Sequence, residues 1–145
     1  MKSRMITVLL SLALSCINIS CSQGIQCGDA RATNLVLQTV KNNTIKLIES
    51  ISADKDFASK LLREWIDYRL ELANIRTVKI EEGQGKCFCE ADLNLSSGTA
   101  STTFNVRYSA QFNKRTDQVR VEVYCDQDAL YQWALNTSGL KPAVK

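Results

Sequence analysis

The chain has 145 residues, 18 Lys+Arg against 15 Asp+Glu, and no histidine. That length suits one domain, and the missing imidazole excludes His-based catalytic triads, His-ligated zinc and the usual general base near neutral pH. Two of the bases and none of the acids fall in residues 1–22, which leaves 16 bases against 15 acids, too even a balance for the concentrated basic face that nucleic-acid binding needs.

The opening MKSRMITVLLSLALSCINISCSQ sets Lys2 and Arg4 before an uncharged apolar run from Met5 to Leu14, followed by small residues. This pattern predicts an export signal over residues 1–22. The run is shorter than the roughly twenty apolar residues that span a bilayer. Ser20-Cys21-Ser22 suits a general signal peptidase, with a new terminus near Gln23. Leu12 to Cys16 and Ile19-Ser20-Cys21 are similar to lipoboxes, so Cys21 and Cys16 are candidate lipidation sites. The expected location is the bacterial periplasm, the outer membrane as a lipoprotein, or the medium. A membrane is expected to matter only through such an anchor.

The mature part, residues 23–138, reads as a single α+β domain. Asp29 caps a helix expected over Ala30 to Ser50, with Val36, Val40, Leu47, Ile48 and Ile51 on one face. After Ser52-Ala53-Asp54, a second helix begins from Ser52 or Asp54 as cap. Its stripe runs Phe57, Leu61, Trp65 and then Tyr68 or Leu72, flanked by Leu62 and Ile66.

From Ala73 the period changes to two. A first strand is expected over Ile75 to Glu81, and Gly83-Gln84-Gly85 turns the chain. In the next strand Cys87, Cys89, Ala91, Leu93 and Leu95 share a face. After Ser96-Ser97-Gly98, a third strand alternates inward Phe104, Val106, Tyr108, Ala110 and Phe112 with outward Asn105, Arg107, Ser109 and Gln111. Asn113 to Asp117 turns into a fourth strand with Val119, Val121, Val123 and Cys125 in one phase. Such one-sided alternation predicts a four-stranded antiparallel meander, dry on one face, with the two helices covering it. A short helix from Gln127 to Leu135, capped by Asp126, closes the domain. Residues 139–145, which hold the single proline, are expected to fray.

The cysteines predict staples. Without the leader, Cys27, Cys87, Cys89 and Cys125 remain, an even set for two bridges. Cys87 and Cys89 point the same way in a strand, nearly seven ångströms apart at ~3.3 Å per residue, which disfavours a bridge between them. Two pairings stay open: Cys27–Cys87 with Cys89–Cys125, or Cys27–Cys89 with Cys87–Cys125. A redox dithiol at Cys87/Cys89 lacks the helix start that lowers a thiol pKa. A four-cysteine zinc site lacks a second close pair. No catalytic motif and no cofactor-binding motif is present, so neither a catalytic residue nor a cofactor or metal is expected.

Phe88 and Tyr124 fall on the wetted phase with Arg107, Arg120 and Glu122, a mixed aromatic and charged surface suited to a protein partner. The run NIRTVKIEEGQGKCFCEADLNL followed by FNVRYSAQFNKRTDQVRVEV resembles small exported bacterial proteins, many of them lipid-anchored and without assigned activity. The resemblance covers Asn74 to Val123, rests on Cys89-Glu90-Ala91-Asp92-Leu93 before a Tyr-containing strand, and does not include Cys87. It implies no catalytic residue. The expected function is non-catalytic binding of another protein, as an immunity, inhibitor or exclusion factor. The alternative is thiol–disulfide exchange through Cys87/Cys89.

Overall fold

The computed structural model describes residues 26–141. The expected leader, with Cys16 and Cys21, and residues 142–145 lie outside the described residues. The order is α1 (Ala30–Ile51), α2 (Lys55–Asp67), β1 (Arg69–Glu81), a 3-10 turn, β2 (Lys86–Ser97), β3 (Ala100–Asn113), β4 (Gln118–Tyr124) and α3 (Gln127–Ser138). The four strands form one sheet in the order β1-β2-β3-β4, antiparallel throughout. Helix α1 packs on the sheet against β4 and β1, and α2 and α3 pack beside it. The fold is the α+β arrangement expected, with α1, α2 and α3 on one face.

Each helix starts where an aspartate satisfies amides that have no partner within the helix. Asp29 accepts from Arg31 N, Asp54 from Asp56 N and Phe57 N, and Asp126 from Ala129 N. Ser52, the other candidate cap for α2, instead ends α1. The buried stripe of α1 is Ala32, Val36, Val40, Thr44 and Ile48. Ile51, placed on that face by its spacing, is the helix's last residue and is half exposed. The Thr44 hydroxyl is tolerated in the core because Val40 O and Gln127 Oε1 lie 3.0 and 3.2 Å from it.

Two sequence expectations change here. Strand β1 begins at Arg69, not Ile75, so Tyr68 and Leu72 do not continue the stripe of α2. The segment after Asp67 satisfies both periods. Leu70 and Leu72 sit four and seven residues after Ile66 and Trp65, yet they also alternate with Arg69, Glu71 and Ala73. Pairing decides: Leu70 and Leu72 lie opposite Leu95 and Leu93, where cross-strand apolar contact is available. The phase of β1 was illegible because it shifts twice, between Ala73 and Arg76 and between Thr77 and Lys79. Asn74 takes the first irregularity at φ 50°, a left-handed conformation that asparagine tolerates better than most residues.

Trp65 sits at the junction of the helical layer, fully buried, its Nε1 donating to Lys41 O at 3.2 Å. Tyr68 makes edge contacts with Trp65 and Trp133 at 5.5 and 5.1 Å between ring centres. Its hydroxyl donates to Ala134 O, tying the end of α2 to α3. Beyond α3, Gly139 turns left-handed at φ 66° and Leu140 folds back against the core, half-buried.

Candidate functional site

Three places carry chemistry: a cluster of sulfurs in the core, the wetted face of the sheet, and a cleft at its hairpin end. The sulfurs lie beneath the start of α1. Cys27 is bonded to Cys89, with Cα atoms 5.7 Å apart, so the bridge joins the entry to α1 to an inner strand. Tyr108, paired with Cys89 across β2 and β3, donates its hydroxyl to Cys27 O at 2.6 Å. Burial pushes the Tyr108 phenol up to about 12, and the neighbouring Cys87 adds to the shift.

Cys87 and Cys125 are free thiols, so the second expected bridge is absent and only half of one open pairing is realised. The reason is the sequential strand order. Cys87 pairs with Ala110, and Ala110 with Val121, which puts two strand spacings, roughly 9.6 Å, between Cys87 and β4. Cys125 lies four residues further along the chain from Val121. Disulfide Cα atoms must approach within about 7 Å. Cys125 instead accepts a hydrogen bond from Gln127 Nε2 at 2.8 Å, and burial pushes its thiol up.

Cys87 Sγ lies 3.7 Å from Cys89 Sγ, and the sulfurs of Cys27, Cys87 and Cys89 all fall within 4.8 Å of one another. Sequence spacing revealed only one close pair; folding adds Cys27 as the third sulfur. Two of the three are consumed by the bridge, so a metal could use the set only after reduction. All three residues are at most 2% exposed, and burial pushes the Cys87 thiol up. A thiol that is both inaccessible and hard to ionise is a poor nucleophile toward an external disulfide.

The wetted face brings together all five residues proposed from alternation. Arg107 pairs with Tyr124, Ser109 with Glu122 and Gln111 with Arg120 across β3 and β4, while Phe88 pairs with Ser109 across β2 and β3. Tyr124 is 59% exposed. Phe88 is half-buried, its ring flanked by the ammonium groups of Lys86 and Lys79 at 5.2 and 5.6 Å, close enough for cation–π attraction. Glu122 organises the centre. Lys86 Nζ stands 3.4 Å from its carboxylate, and Ser109 Oγ and Tyr124 OH donate to it at 3.3 and 3.4 Å. The Lys86 charge holds the Glu122 carboxyl below its ordinary value. Ser109, expected in solvent, is buried between Phe88 and Glu122. Arg107 and Arg120 are exposed and form no ion pair among the described residues.

A shallow hollow of about 420 Å³ adjoins this face, lined by Arg107, Tyr124 and Cys125 among others. A larger open cleft, about 850 Å³, wraps the hairpin end of the sheet. Its wall includes Ile80, Glu82, Lys86, Phe112, Lys114, Arg115 and Arg120. Lys114 and Arg115 belong to the turn expected over Asn113 to Asp117, and nothing in that local stretch shows their company. The signal lay in the strand register, which sets Lys86, Gln111 and Arg120 in one row beside that turn.

No family model, no curated protein and no solved structure matches this chain.

Proposed function

We propose that the protein is a non-catalytic, exported bacterial envelope protein that binds another protein through the wetted face of its sheet. An immunity, inhibitor or exclusion factor is the most concrete form of this reading. One observation carries it: Phe88, Arg107, Arg120, Glu122 and Tyr124 share a face that no helix among the described residues covers. Tyr and Arg are the residue types that dominate binding energy at protein interfaces. Here the tyrosine ring is open and both arginines lack an ion pair among the described residues, so neither guanidinium must first be released from an acid. The platform is stiff, since β2 and β3 stay in register from Lys86↔Gln111 to Ser97↔Ala100.

The test places a photo-crosslinking phenylalanine analogue at Tyr124, and separately at Ile66, which is 54% exposed on α2. Irradiation in the producing cell should give a discrete adduct from the first position and none from the second. No adduct from position 124, or the same adduct from both, overturns the reading.

A second reading, thiol–disulfide exchange, is favoured by the 3.7 Å approach of Cys87 to the bridge. The burial of all three sulfurs counts against it. Rapid reduction or oxidation of an unfolded test protein, lost on Cys87→Ser, would establish it; no exchange removes it.

A further inference from the structure

The described residues 26–141 balance, with 15 bases against 15 acids, yet the cleft at the hairpin end does not. Among the described residues, Lys86, Lys114, Arg115 and Arg120 line it against one acid, Glu82. Lys86 is tied to Glu122, and the nearby Asp117, largely exposed and outside the lining, shares Arg31 at 3.5 Å with Asp29 at 3.0 Å. Lys114, Arg115 and Arg120 form no ion pair among the described residues. Three uncommitted cations around one concavity focus a positive potential that attracts a negative ligand.

The same wall is partly apolar. Ile80 lies on the helix-side phase of the sheet opposite Cys87, where the core would be expected, yet it is 62% exposed. Phe112, half-buried, stands on the neighbouring part of the wall. A small inorganic anion has no use for this apolar surface. A chain that alternates carboxylates with apolar side chains uses both, because alternate residues of an extended segment point to opposite sides.

We propose that this cleft seats an extended, acidic peptide segment of the partner, its carboxylates toward Lys114, Arg115 and Arg120 and its apolar side chains on Ile80 and Phe112. The proposal rests on the protein-binding function above and names the chemistry of what is bound. Acids at the rim steer association, so binding weakens as salt is raised.

The test uses the oxidised mature protein and a fluorescein-labelled short peptide of alternating Glu and Val, read by anisotropy. The Glu/Val peptide should bind and its Lys/Val counterpart should not. Reversing the three charges together (K114E, R115E, R120E) should weaken binding by about tenfold or more, and Ile66→Ala, on the exposed side of α2, should leave it unchanged. All three reversed residues are exposed, and an unchanged circular dichroism spectrum checks that the variant folds. No binding, binding that survives charge reversal, or displacement by an equal concentration of tripolyphosphate overturns the proposal. The last result would mark a general anion site. A crosslinked adduct at position 124 without Glu/Val binding removes this inference alone, whereas Glu/Val binding without the adduct removes the sheet-face reading alone.

Discussion

Cys89→Ser tests whether the sulfur cluster has one possible bridge or two. The bond it removes spans a sequence separation of 62, and the chain-entropy relation assigns such a loop about 4 kcal/mol of stability at 25 °C. Cys27→Ser should lose that amount outright, because Cys87 and Cys89 then have no third sulfur and disfavour each other along the strand. Cys89→Ser should not. Cys87 Sγ lies within 4.8 Å of Cys27 Sγ, and a Cys27–Cys87 bridge would close a loop only two residues shorter, which leaves the entropy almost unchanged. What the swap costs is the shift of α1's entry by one pleat repeat along β2. Urea unfolding of the two oxidised variants should therefore separate them, with Cys89→Ser nearer the native protein. Thiol titration gives the independent reading. Of the cysteines in the described residues, Cys89→Ser should expose only Cys125 on denaturation if the bridge moves, and Cys27, Cys87 and Cys125 if it does not. Three titratable thiols together with stability as low as that of Cys27→Ser would refute the reasoning.

Alkaline conditions should destabilise the fold through Tyr108. Its phenol ionises near 10.0 in the unfolded chain and at about 12 in the folded one, so between those values the unfolded state binds fewer protons and stability falls as pH rises. The Tyr108 share of the loss should reach about 2–3 kcal/mol across that window and be subtracted in Tyr108→Phe, measured by denaturation at a series of pH values. Burial also raises Tyr68, Cys87 and Cys125, so a smaller alkaline loss persists in that variant. At the β1–β2 turn, Gly85 has φ 59° and a Cβ there would stand 3.2 Å from Phe112 O. Gly98 has φ 55° with nothing within 4 Å. Both alanine variants should lose about 1 kcal/mol to the left-handed backbone, and Gly85→Ala should lose measurably more; equal losses in thermal unfolding would dismiss the Phe112 contact.

The strands were legible because one face is dry. Alternation in KCFCEADLNL and FNVRYSAQF fixes both phases of β2 and β3, and the aspartates at positions 29, 54 and 126 mark three helix starts. The β1 boundary was not legible, because Tyr68 to Leu72 fits a helical stripe and a strand equally until Leu93 and Leu95 are placed opposite. The five surface residues followed from alternation alone. The basic cleft did not, since Lys86, Arg120 and the Lys114-Arg115 turn are distant in sequence.

The amino-acid order alone determined the α+β class, the meander and the separation of Cys87 from Cys89 as bridge partners, because these depend on local periodicity and on the fixed rise of a strand. Only the tertiary structure decided which sulfur Cys27 takes, that Cys125 stays out of reach, and that three cations without an ion pair among the described residues meet beside exposed Ile80. Those facts depend on strand order and on how far the helices reach across the sheet, distances that no local pattern encodes.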